Sequence, residues 1–181
     1  MARRDERVWL SVSLPRQELT LHREGRRETV WTVSTGVAPP GERTGSGGTP
    51  RGWHMVRARI GAGQPPGAVF VGRRPTGEIW TPELAAREPE RDWILTRILW
   101  LSGLEPGRNR LGLVDTMRRF IYIHGCPDDA PMGVPASHGC IRMRNGDVAR
   151  LFESVPCGTP VWIGEAGPEH GPPCWTKETS A

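Results

Sequence analysis

The tripeptide His-Gly-Cys occurs twice in this chain, at residues 124–126 and 138–140. A thiol with an ordinary pKa of about 8.5 is mostly protonated at pH 7, and a neighbouring histidine turns it into a usable nucleophile. The same four side chains, His124, Cys126, His138 and Cys140, also make an N2S2 donor set of the kind Zn2+ takes. Spacing divides these readings only in part. His-x-Cys is tighter than the usual ligand pair, so both members would have to reach one metal across a single glycine. The surroundings favour a nucleophile. Gly139 directly before Cys140 permits a sharp turn whose successive backbone N–H groups face a developing oxyanion. Arg142, two residues on, suits a bidentate grip on a substrate carboxylate. Two turn glycines with incidental neighbours are the plain alternative, and residue types alone leave all three open.

The elements that must hold these residues are mostly strands. Residues 120–123, Phe-Ile-Tyr-Ile, predict a buried strand running into His124. Upstream, Val8, Leu10, Val12 and Leu14 share one face of a period-2 pattern, and residues 19–22 and 29–35 flank a Glu24-Gly25 turn as a hairpin. Residues 36–52 read as a Gly/Pro/Thr loop, residues 53–60 as another alternating strand, and residues 68–71 as a short one. Thr81-Pro82 is a cap and first position for a brief helix through Arg87. Residues 92–104 are ambiguous, with strand preferred over 98–101. Asn145 is placed to cap a helix that carries Val148, Leu151, Phe152 and Val155 on one face until Pro156 ends it, and residues 159–163 form a last strand. The class is mainly β with a few short helices.

Composition agrees. With 23 Gly and 18 Pro in 181 residues, the two together reach nearly twice their usual share of about 12 %. That excludes coiled coils and long-helix bundles, and the length suits one domain. Of 24 cationic residues only Lys177 is lysine, and the arginines alternate with acids, so the net charge of +4 describes a solvated surface rather than a nucleic-acid arm. The loop GERTGSGGTPRG lacks the lysine of a phosphate-binding P-loop. Trp9, Trp31 and Trp53 fall within strands as packing residues, and no nucleic-acid partner is expected. No stretch is apolar enough to span a membrane. The first residues, Met-Ala-Arg-Arg-Asp-Glu-Arg, lead into alternation without an apolar h-region, so no secretory signal is expected as written. Four cysteines, Cys126, Cys140, Cys157 and Cys174, are too few for a disulfide framework.

Residues 121–147, IYIHGCPDDAPMGVPASHGCIRMRNGD, resemble the active-site signature of the L,D-transpeptidase (YkuD-type) catalytic domains. The match is His124-Gly125, a gap, and then Ser137-His138-Gly139-Cys140-Ile141-Arg142. Upstream, VWLSVSLPRQELTL, VSTG at 33–36 and Thr49-Pro50-x-Gly52 extend it. The resemblance implies an L,D-transpeptidase-like β fold over residues 1–165 with a loose tail at 166–181, and an enzyme acting on peptidoglycan stem peptides. It implies Cys140 as nucleophile, His124 as base, and Gly125 as the residue whose carbonyl orients the histidine. Backbone N–H groups near His138, Gly139 and Cys140 would form the oxyanion hole, with Ser137 as a loop hydroxyl. Arg142 falls where the family carries a basic substrate-site residue, though bracing the loop through backbone carbonyls is an equal alternative. No cofactor or metal is implied.

His138 is closer in sequence to Cys140, but residues two apart on a turn point in different directions, so a hydrogen bond within the loop is expected of it. Cys126 is either a small buried residue or the partner of a reversible disulfide with Cys140. The rivals are a cysteine peptidase that only hydrolyses peptidoglycan peptides and a zinc-binding interaction module built on the two His-Gly-Cys units. The implied substrate belongs to the cell envelope or periplasm, in tension with the missing signal, and nothing in the residues sets an oligomeric state.

Overall fold

In the computed structural model residues 7–173 are described; residues 1–6 and 174–181, which hold the expected start of the chain, Cys174 and the end of the tail, lie outside them. The strands are β1 (Trp9–Ser13), β2 (Glu18–Arg23), β3 (Arg26–Thr32), β4 (Gly52–Ile60), β5 (Ala68–Val71), β6 (Arg74–Ile79), β7 (Ile94–Gly103), β8 (Tyr122–Gly125), β9 (Ile141–Met143) and β10 (Pro160–Gly164). Two helices, α1 (Pro82–Arg87) and α2 (Asn145–Ser154), and a 3-10 turn at Gly112–Val114 complete the fold.

The sheet runs β3-β2-β1-β10-β4-β7-β5-β6, with β8 on the other side of β7 and β9 beside β8. β7 is the junction. A register shift between Leu95 and Ile98, with Thr96 left-handed at φ 69°, lets one strand serve two groups of partners. Past the bulge, β7 pairs with β4 from Ile98 to Gly103; before it, Ile94 and Leu95 pair with β5. Strand therefore extends well beyond residues 98–101.

Alternation decides what is buried. Leu10 and Val12 of β1, Leu19 and Leu21 of β2, Leu99 and Leu101 of β7, and Val161 and Ile163 of β10 line one concave core. α2 fills it with Val148, Leu151 and Phe152, each of which stabilises by roughly 1.5–3 kcal/mol on burial. Thr81 caps α1 by accepting from Leu84 N–H. Asn145 is not the cap of α2: Arg144 takes that position without a side-chain bond, and the Asn145 amide turns sideways to Cys126 O (3.0 Å) and Thr96 Oγ1 (2.5 Å). A tertiary demand outcompetes the local one there. The strand expected at 120–123 begins two residues later, because Phe120 is left-handed (φ 56°) and exposed.

His54 of β4 is fully buried between Gly52 O (3.0 Å from Nδ1) and Thr116 Oγ1 (3.1 Å from Nε2). A carbonyl only accepts, so the ring proton sits on Nδ1. Burial lowers its pKa to about 4, the Gly52 bond opposing. The unfolded chain takes up a proton below about pH 6.5 that the folded chain refuses until about pH 4. Stability is thus complete above pH 6.5 and is lost as pH falls towards 4. Denaturant unfolding should show His54 alone costing about 2 kcal/mol by pH 5, and His54→Gln should flatten that part of the pH dependence.

Candidate active site

β8 and β9 run parallel, with Ile123 opposite Ile141, His124 opposite Arg142 and Gly125 opposite Met143. In a parallel pair, opposed residues share a face. Ile121, Ile123, Ile141 and Met143 therefore enter the α2 core, while Tyr122, His124, Cys140 and Arg142 come out together on the other side. There Tyr122 and Cys140 join a second apolar cluster with Ala68, Phe70, Ile98 and Trp100.

His124 is 1 % exposed, and its Nδ1 lies 2.7 Å from the carbonyl oxygen of Gly125. That carbonyl requires an N–H on Nδ1, which leaves Nε2 as an unprotonated lone pair. Burial lowers the histidine pKa to about 4, the Gly125 bond opposing; Asp92 raises it and Arg142 lowers it. The ring is thus a neutral base at pH 7. Gly125 is needed for a further reason: a Cβ there would meet Asn145 Oδ1 at 2.5 Å and Leu95 O at 2.6 Å.

Cys140 is half-buried; its Sγ accepts from Tyr122 N–H (3.4 Å), and the thiol donates to Phe120 O (3.4 Å). Burial pushes the thiol up to about 11, against the pull of the Tyr122 N–H. The resting pair is therefore neutral thiol and neutral imidazole. Phe120 can present its carbonyl to the sulfur because of its left-handed backbone, a strained conformation for a bulky residue.

The loop that holds Cys140 is fixed on both sides. Ser137 is buried; its hydroxyl donates to Cys140 O (2.5 Å) and accepts from Gly139 N–H (3.1 Å). Segment 33–37 pairs along it through Ser34 and Arg142, which exchange backbone bonds, and through Ala136 and Ser137 N–H donating to Thr35 O. Behind Gly139 (φ 120°) stands the 36–52 loop: Thr49, 1 % exposed, donates to Gly139 O (2.9 Å) and accepts from Gly36 N–H (2.9 Å). Arg119 holds that loop by donating to Gly41 O, Glu42 O, Ser46 Oγ and Gly48 O. With Gly139 O taken by Thr49, the trans peptide aims the Cys140 N–H the opposite way, and among the described residues that N–H has no acceptor. The Gly139 N–H is spent on Ser137, so it does not share that freedom.

Arg142 braces: Nη1 donates to Ala136 O (3.0 Å), Nη2 pairs with Asp92 (2.9 Å), and its side chain is 16 % exposed. His138 is exposed, and among the described residues its ring makes no hydrogen bond. The bond expected of it within the loop is made by Ser137 instead, because the turn at Gly139 sends the His138 ring outward. Cys126 is fully buried, with its thiol on Met143 O (3.3 Å) and Met132 Sδ (4.0 Å). It has no hydrogen-bond partner in common with Cys140 Sγ, and both thiols are free. The four side chains of the two His-Gly-Cys units do not form one donor set, and no group of three His, Cys, Asp or Glu among the described residues is placed to hold a metal. Sequence reasoning missed Phe120, Asp92 and the role of Thr49; Thr49-Pro50-x-Gly52 was the one visible signal among them.

A cysteine directly before β9 and a carbonyl-locked histidine on the parallel strand β8 thus share one sheet face, backed by a Gly/Thr loop. Residues 7–163 match the family model of the YkuD L,D-transpeptidase catalytic domain, and the chain belongs to that family. Among curated proteins, it is 36 % identical over 101 residues to "Probable L,D-transpeptidase YbiS" of Escherichia coli K12, covering 50 % of this chain and 29 % of that protein. It is 30 % identical over 137 residues to "Probable L,D-transpeptidase ErfK/SrfK" of Salmonella typhimurium, covering 75 % of this chain and 37 % of that one. The chain thus spans roughly a third of the length of these relatives. The fold is similar to the L,D-transpeptidase of Xylanimonas cellulosilytica (TM-score 0.56, 21 % identity, 90 % of this chain and 63 % of that). It also resembles L,D-transpeptidase 3 of Mycobacterium tuberculosis (TM-score 0.54, 18 % identity, 87 % and 61 %).

Thr49→Val should cost about 2–4 kcal/mol in denaturant unfolding, since it leaves the buried Gly36 N–H and Gly139 carbonyl unpartnered. Thr49→Ser, which keeps the hydroxyl, should recover most of that loss.

Proposed function

We propose that this chain is a peptidoglycan L,D-transpeptidase in which Cys140 is the nucleophile and His124 the general base. The observation that carries the proposal is the carbonyl-locked tautomer of His124, which leaves Nε2 unprotonated on the sheet face that also bears Cys140. As Sγ attacks the carbonyl of the stem tetrapeptide, the thiol proton leaves Phe120 O and passes to Nε2. The tetrahedral oxyanion takes hydrogen bonds from the free Cys140 N–H and the neighbouring His138 N–H. The imidazolium then protonates the amine of the terminal D-residue, which departs and leaves a thioester. An acceptor amine attacks the thioester, Nε2 removes the amine's proton, and the returned proton regenerates the thiol. Ser137 and Thr49 hold the loop through which the oxyanion donors are presented. Arg142 acts by bracing that loop and by holding Asp92 beside His124, with a substrate contact open to it only once Asp92 is displaced.

The substrate belongs to the cell envelope, where we place the reaction. No helix among the described residues is long and apolar enough to cross a membrane.

Incubation with a carbapenem followed by intact mass should give a covalent adduct that Cys140→Ala abolishes; an unmodified wild-type mass would overturn the proposal. Supplying a stem tetrapeptide with and without an amine acceptor separates transfer from hydrolysis, since only transfer yields the acceptor-linked product. With His124 held down to about 4 and Cys140 up to about 11, the acylation rate should stay flat from about pH 5 to about pH 10. An acid limb near pH 6.5 would mean that the histidine is not buried as described.

A further inference from the structure

Arg142 and Arg119, the arginines nearest the Cys140 loop, are committed to a carboxylate and to carbonyls. Arg73 is not. β5 and β6 are joined by a two-residue turn, Gly72-Arg73, with Val71 opposite Arg74 and both turn residues left-handed (φ 54° and 65°). Such a hairpin turn selects positive φ at both positions. Glycine takes that backbone freely, whereas arginine does so against the preference of its Cβ.

The conformation folds the Arg73 side chain back over the sheet. Its guanidinium lies 4.6 Å from the ring centre of Trp100 and 4.9 Å from that of Phe120, and Nη1 donates to Tyr122 OH (2.9 Å). Among the described residues no carboxylate pairs with it. Stacking between aromatic rings shields the charge from water and fixes the plane of the fork, leaving N–H donors for a ligand. The Tyr122 hydroxyl accepts from Arg73 and keeps its own O–H for the same purpose. Two of the three residues that hold Arg73 also hold the sulfur: Phe120 through its carbonyl and Tyr122 through its N–H.

The geometry points to a carboxylate subsite in which Arg73, assisted by Tyr122 OH, binds a carboxylate of the peptide that Cys140 attacks. This rests on the transpeptidase function proposed above. Two carboxylates of such a donor qualify: that of the departing terminal residue, and that on the side chain of the residue whose carbonyl is attacked. Both offer the planar, two-oxygen anion that a guanidinium fork matches.

Three synthetic tetrapeptide donors test the assignment: one with both carboxylates free, one with a C-terminal carboxamide, and one with a side-chain carboxamide. Release of the terminal residue and thioester formation are followed for wild type, Arg73→Gln and Arg73→Lys. Arg73→Gln should raise KM for the free donor by about ten- to hundredfold, with a smaller change in kcat, and Arg73→Lys should recover part of the loss. Amidation of the bound carboxylate should impose a similar loss on wild type and remove the difference between wild type and Arg73→Gln; the amide that does so identifies the carboxylate. Equal penalties for all three donors, or none, would overturn the subsite. Alkylation of Cys140 by neutral iodoacetamide at the wild-type rate in Arg73→Gln establishes that the sulfur's surroundings are intact; a changed rate with equal penalties assigns Arg73 a structural role. If wild type forms a carbapenem adduct but no thioester with any of the three donors, the peptidoglycan donor fails, and the subsite with it.

Discussion

The parallel pairing of β8 with β9 is the constraint on which the rest of the molecule depends. Its register puts Ile123 beside Ile141, and the pleat then leaves no choice about the neighbours: what flanks those isoleucines must emerge on the opposite face. The apolar residues that anchor two short strands to α2 are thereby the same residues that bring His124 and Cys140 together. A slip of one residue in either strand would carry His124 or Cys140 into the core and the isoleucines out of it. Burial energy of the core and alignment of the site are one quantity, expressed on two faces.

Around that pair, the protein spends main-chain groups where a side chain might have been used. The Gly125 carbonyl sets the histidine tautomer, the Phe120 carbonyl holds the thiol proton, and Tyr122 N–H touches the sulfur. Main-chain groups bring polarity without net charge, which suits a buried pair in which thiol and imidazole are both neutral. The charged groups stand one layer further out and are mostly matched, as with Arg142 and Asp92 or Arg51 and Glu42.

Much of this is legible in the sequence, because strand alternation is a local signal. Leu10, Val12, Leu19, Leu21, Val161 and Ile163 follow it, and so does the helical stripe of Val148, Leu151 and Phe152. The losses have physical causes. β6, Arg-Pro-Thr-Gly-Glu-Ile, is an edge strand exposed along most of its length, so no hydrophobic period marks it. β9 is three residues long and takes its order from β8 rather than from its own propensity. Phe120 reads as a strand residue because it is aromatic, while its actual backbone is left-handed. Asn145 looks like a cap because its amide has the chemistry of one, but that amide bridges β7 and the end of β8. The partnerships of Thr49 with Gly139 and of Asp92 with Arg142 join residues 90 and 50 positions apart, and no local pattern encodes them.

In chain order the first and last strands among the described residues are neighbours, β1 lying parallel to β10 with Leu10 opposite Val161 and Ser13 opposite Gly164. Tension applied between the start of β1 and the end of β10 therefore pulls these strands in opposite directions along their own axes. The evenly spaced, slanted bonds of a parallel ladder then carry the load in shear, all together, instead of opening one at a time. Force applied between the start of β1 and the end of β10 reaches the β8–β9 pair only after that parallel ladder has yielded.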